Sequence, residues 1–136
     1  MTRYASMVLA NPVPGREDVF NDWYTHVHIP DVLTIDGIVA ATRYRLVAQR
    51  GGDPAIAGFS YLTIYEIETD DLRGVFRTLV TRMGTALMPM SDAIAPERAF
   101  YDWEVLGPRV LADPAGVAAA ADAQGLPDAA ISEESA

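Results

Sequence analysis

Residues 20–30 read FNDWYTHVHIP, and Gly37-Ile38 follow a few positions later. Between Glu17 and Val27 the apolar groups Val19, Phe20, Trp23, Tyr24 and Val27 recur at helical spacing, which predicts a helix with one aromatic face. Pro30 is expected to end that helix, because the residue before a proline is driven out of the α region. Asp31 to Thr34 suit one short turn, and the stretch from Ile38 to Val47 reads as a strand entered through Gly37.

Working outward, residues 3–9 (RYASMVL) form a strand that Asn11, Pro12, Pro14 and Gly15 bring to an end. Gly51, Gly52, Asp53 and Pro54 make a turn or hairpin loop leading to a third strand at Phe59 to Ile67, rich in β-branched and aromatic residues. Thr69 or Asp70 is positioned to cap a second helix, whose stripe is Leu72, Val75, Phe76, Leu79, Val80 and Met83. Residues 85–95 are expected to be irregular, and the last strand runs from Phe100 to Val105. The order is therefore βαββαβ, an α+β ferredoxin-like arrangement with a four-stranded antiparallel sheet.

Side chains alternate along a strand, so Tyr4, Ser6 and Val8 share one face of the first strand and Ala5, Met7 and Leu9 the other. We expect the second set to lie beneath the helices. The non-helical face then collects Tyr4, Ser6, Arg43, Tyr65 and Asp102 among apolar groups such as Tyr61 and Phe100. A second copy of the sheet would cover that face and enclose a cavity for a small ligand. The alternative is a packed interface with no pocket.

The 136 residues include no Cys and no Lys, and the formal charge is −9. Without Cys the chain has no disulfide scaffold, thiolate metal site or thiol nucleophile. Residues 112–136 hold Asp113, Asp122, Asp128, Glu133 and Glu134 and no base, which leaves fourteen acids against ten Arg in residues 1–111. We expect a working domain at 1–111 and an acidic, Ala-rich flexible tail at 112–136. The acidic balance argues against nucleic acid as a partner. No apolar run approaches the roughly 20 residues needed to span a bilayer, and no signal-type segment follows Met1, so a cytoplasmic protein with no membrane partner is expected.

The Trp23-Tyr24 pair late in the first helix, His28 four residues after Tyr24, Pro30 and the strand-opening Gly37 together resemble the pattern of the EthD-like branch of the dimeric α/β-barrel superfamily. The element order is similar over roughly residues 3–105. His26 has no counterpart in that pattern. The resemblance implies a homodimer whose two sheets pack into a dimeric α/β barrel, with one ligand cavity per subunit. Relatives in that superfamily include cofactor-free monooxygenases, isomerases, cyclases and dehydratases, and some bind haem.

His28 is the leading candidate for chemistry, since a His near a helix C-terminus can move a proton close to neutral pH. A simple cap on the last helix carbonyls is the other reading. His26 reads as a surface or interface residue, and the His-x-His spacing enforces no metal site; a metal or haem on His26 or His28 stays an alternative to a cofactor-free site. Tyr65 or Tyr4 would donate to a developing oxyanion, and Arg43 would orient a carboxylate or enolate oxygen. Arg43 pairing with Asp102 or Glu104 is its structural alternative. Ser6, Trp23, Tyr24, Tyr61, Met83 and Asp102 are expected to help bind substrate, with Met88 and Met90 as a further apolar wall or flap. These residues suit a cofactor-free lyase, dehydratase, cyclase or isomerase acting on a small apolar, aromatic or cyclic molecule. A cofactor-free monooxygenase and a non-enzymatic, small-ligand-binding or stress-related dimer are the alternatives.

Overall fold

The computed structural model describes residues 1–52 and 58–116. The elements are β1 (Thr2–Pro12), α1 (Glu17–Trp23), a π-helical turn (Tyr24–His28), α2 (Ile29–Val32), β2 (Ile38–Arg45), β3 (Tyr61–Thr69), α3 (Leu72–Arg82) and β4 (Ile94–Glu104). The strands pair antiparallel in the order β2-β3-β1-β4, which is the ferredoxin-like α+β fold. Asp53 and Pro54 of the expected turn, and the expected tail from residue 117 onward, lie outside the described residues.

Pro30 does not end the first helix. Its N–H is absent, but the chain has already changed pitch: the Ile29 N–H bonds the Tyr24 carbonyl five residues back, and Pro30 then falls in the first turn of α2, where a missing donor costs nothing. The helical run continues through Val32. At the other end of this segment Gly37 takes φ of +96°, and a Cβ there would meet Val75 Cγ2 at 3.1 Å, so the strand entry requires glycine. A register shift between Ile38 and Ala40 lets Ile38, Ala41 and Arg43 all point to one face of β2. Asp71, one residue beyond the expected caps, accepts a hydrogen bond from the Gly74 N–H at 3.0 Å and opens α3.

The strand parity is as expected, but the face that the helices cover is the opposite one. Ser6, Tyr61, Thr63, Tyr65 and Ile67 are buried beneath the helices, and Tyr65 and Ile67 pack with Val32, Val75 and Met88 in the main core. A second cluster joins Phe20, Trp23 and Tyr24 to Ala10, Tyr61 and Ala93. The face carrying Met7, Leu9, Ile64 and Tyr101 is left open, with Tyr44 and Trp103 47% and 56% exposed on it. Alternation fixes which residues travel together; it does not say which set lies beneath the helices.

Candidate functional site

The cavity lies between the sheet and the helices and has a volume of about 280 Å³. Its floor is Ser6 and Val8 of β1, Ile38 of β2, Tyr65 and Ile67 of β3, and Ile94, Arg98, Phe100 and Asp102 of β4. Phe76, Leu79 and Val80 of α3, with Met83 just after it, form the roof, while Tyr24, His28 and Val32 close one end. Val80 and Phe100 are 69% and 58% exposed, so the mouth opens between α3 and β4. A cavity of ~150 Å³ takes benzene, so this one has room for a substituted ring or two fused rings.

The π-helical turn sets the imidazole of His28. In a regular α-helix, residues five apart point about 140° away from each other, yet here the rings of Trp23 and His28 stack at 4.7 Å and 25°. The wider turn brings them into register. Tyr24 meets the same imidazole edge-on at 5.1 Å, and the Trp23 indole is fixed in turn by donating from Nε1 to the Pro89 carbonyl at 3.1 Å. His28 is buried and its Nδ1 has no hydrogen-bond partner. Burial, reinforced by the positive charge of Arg98, lowers its pKa to about 4, so the ring is neutral near pH 7. His26, two residues earlier, is exposed, with Nε2 3.9 Å from Asp22 Oδ1.

Tyr65 is the second wall residue with a buried hydrogen-bonding atom that has no partner. Burial pushes its pKa well above the ordinary phenol value and Tyr24 adds to the rise, although the hydroxyl closes no hydrogen bond of regular geometry. It therefore stays protonated and able to donate. Ser6 faces Tyr65 on one side and Asp102 on the other, and its Oγ donates to Asp102 Oδ1 at 2.7 Å.

Of the expected site residues, His28, Tyr65, Ser6, Tyr24, Met83 and Asp102 share the cavity wall. Arg43, Tyr4, Trp23 and Tyr61 stand off it. Arg43 lies on the helix side, and both terminal nitrogens are engaged: Nη1 donates to Thr25 Oγ1 and Nη2 to Asn21 Oδ1, each at 2.9 Å, with the group 4.6 Å from the Tyr24 ring centre, while Nε is buried without a partner. Asp102 and Glu104 of the same chain lie across the sheet on β4, and the alternative pairing is with these residues of a second copy. Burial lowers the pKa of Arg43, and the phenols of Tyr24, Tyr61 and Tyr65 pull it partly back. Arg43 thus clamps α1 and the π-helical turn to β2. Tyr61 extends the same network, donating to Glu17 Oε1 and accepting from Asn21 Nδ2. Trp23 acts from behind His28, and Tyr4 packs at the margin of the main core. Met88 is a fully buried core residue, and Met90 packs against the second cluster. Among the described residues, no three His, Asp or Glu side chains converge as a metal site would require, and no helix is long and apolar enough to cross a membrane.

A last strand that starts at Phe100 leaves out Arg98, whereas β4 starts at Ile94. Arg98 shares parity with Phe100 and Asp102, so a strand extended upstream would have found it.

No protein-family model and no curated protein matches the chain. Among solved structures, a protein of unknown function from Nitrosomonas europaea is similar with a TM-score of 0.50 and 13% identity, over 83% of this chain and 98% of that one. An ethyl tert-butyl ether D (EthD) family protein from Bacillus halodurans is similar with a TM-score of 0.41 and 14% identity, over 78% of this chain and 100% of that one. At these identities the likeness to the Nitrosomonas protein is one of fold, and the looser match carries no argument about function.

Proposed function

We propose that this chain is a cofactor-free acid/base enzyme of the lyase, dehydratase, cyclase or isomerase type, working as a homodimer on a small apolar, aromatic or cyclic substrate. The observation that carries the reading is a neutral imidazole on the wall of an apolar cavity, with a buried nitrogen left unpaired. Packing against Trp23 and Tyr24 holds the ring, so His28 is available as proton acceptor without first losing a proton to water. Tyr65 would donate to oxygen as negative charge develops there. Ser6 and Asp102 would form a polar corner that fixes the substrate's orientation, and Met83 with Tyr24 would pack on its ring. Arg43, Trp23, Tyr61 and Tyr4 would act as positioning residues behind these groups. The exposed apolar face with Tyr44 and Trp103 supports the homodimer, since a second sheet would cover it.

The test is turnover of His28→Ala and His28→Gln on a substrate found by screening cyclic ketones, lactones and hydroxylated aromatics. A loss of at least ~100-fold with far-UV circular dichroism preserved is expected. Unchanged turnover would remove His28 from the mechanism, and oxygen consumption during turnover would move the reaction to the monooxygenase class.

A further inference from the structure

The cavity wall is mostly apolar, yet it holds two full charges, and only one of them is engaged. Asp102 accepts from the Ser6 hydroxyl at 2.7 Å. Arg98 has no hydrogen-bond or ion-pair partner among the described residues. The two lie four residues apart on β4, roughly 13 Å along the strand, and Arg98 stands opposite Ala10 where Asp102 stands opposite Ser6. Asp102 therefore does not neutralise Arg98. A guanidinium presented to an apolar cavity without a counter-charge favours an anion that arrives with the ligand.

Resting on the acid/base reading above, we propose that Arg98 anchors the substrate, and that the substrate is an organic monoanion: an aromatic or cyclic molecule whose carboxylate or phenolate sits on Arg98 while its ring fills the apolar part of the cavity beside His28. The size agrees, because about 280 Å³ accommodates one substituted ring or two fused rings beside an anionic group. The charge layout agrees as well. Around His28 the ionisable groups on the wall are Tyr24 from the π-helical turn, Tyr65 from β3, and Arg98 and Asp102 from β4, and α3 contributes none. Of these, Arg98 is the one whose charge acts on the imidazole, lowering its pKa. An anion seated on Arg98 offsets that charge and makes His28 a stronger base once the ligand is bound. Anchor and base would then be engaged by the same molecule.

The experiment compares 1-naphthoate with its neutral counterpart 1-naphthamide by calorimetry on the full chain. The wild-type protein is expected to bind the acid about 10-fold or more tightly. Arg98→Met, which keeps the aliphatic bulk, should erase that preference while leaving amide binding in place, and Arg98→Lys should restore part of it. Equal affinity for acid and amide in the wild type, a preference that persists in Arg98→Met, or binding of neither probe would overturn the proposal. The readout is equilibrium binding, so it separates from the catalytic reading. An acid preference alongside unchanged turnover in His28→Gln would keep the anchor and discard the base, and the converse pattern would do the reverse.

Discussion

The sheet has two faces of the same length and opposite character. Under the helices, Ser6, Thr63 and Tyr65 interrupt an otherwise apolar surface, and Asp102 stands at its rim. On the open side, Met7, Leu9, Ile64 and Tyr101 are partly buried, while Tyr44 and Trp103 are about half exposed. Alternation alone leaves open which of the two faces the helices cover. The helices cover the mixed face, and between it and α3 with the π-helical turn they leave the cavity onto which Ser6 and Tyr65 face. The open face carries Arg3, Glu66 and Glu68 toward one end, and its apolar part, Met7, Leu9, Ile64, Tyr101, Tyr44 and Trp103, is the patch suited to contact with another molecule.

The sharpest way to break this contrast lies on the open face. If the proposed dimer forms through this face, Trp103→Arg is expected to leave only monomer in sedimentation, since a buried unpaired charge in an interface is strongly unfavourable. An unchanged mass would mean that Trp103 is not covered by a second copy. On the helix-covered face the same kind of insult should act on the monomer itself. Phe20 is fully buried between Tyr24 and Tyr61, so Phe20→Ala should cost about 3–5 kcal/mol in denaturant unfolding with no need for a partner.

The pH dependence comes next in size. The folded-state pKa of His28, about 4, lies below the ordinary imidazole value of 6.5, so between those values the unfolded chain takes up the proton first. Stability should therefore rise with pH across this window and level off above it, with about 3 kcal/mol at stake from this residue. Measuring unfolding at both ends of the window in the wild type and in His28→Gln isolates the effect, since the variant should lack that part of the slope.

Tyr65→Phe is the smallest and the most diagnostic. Its hydroxyl is buried without a partner, so removing the oxygen should leave stability unchanged or raise it by about 1 kcal/mol while lowering turnover. A marked loss of stability would show that the hydroxyl holds the fold together.

How far these features could be read from sequence depends on the kind of information involved. Element order and strand parity follow from local periodicity, and they correctly grouped Ser6, Tyr65 and Asp102. His28 was legible because an aromatic pair precedes it at a fixed spacing. Its stacking on Trp23 was not, because the stacking depends on a π-helical turn, and Pro30 read locally as a stop. Arg43 and Arg98 exchanged parts for a similar reason. Arg43 sits on the right face, yet Asn21 and Thr25 claim its guanidinium, and those contacts exist only once α1 is docked on β2. Arg98 hid in a segment whose turn-like residues, Pro89 and Ser91 among them, masked the start of β4.

A His28 imidazole held neutral inside the cavity is central to the proposed chemistry. Nuclear magnetic resonance of ¹⁵N-labelled histidine, titrated from pH 3 to 8 with the His28 signal assigned by loss in His28→Gln, tests this without any substrate. A midpoint for His28 near 4 is predicted, and a midpoint at the ordinary value of 6.5 would place the ring in water and contradict the account.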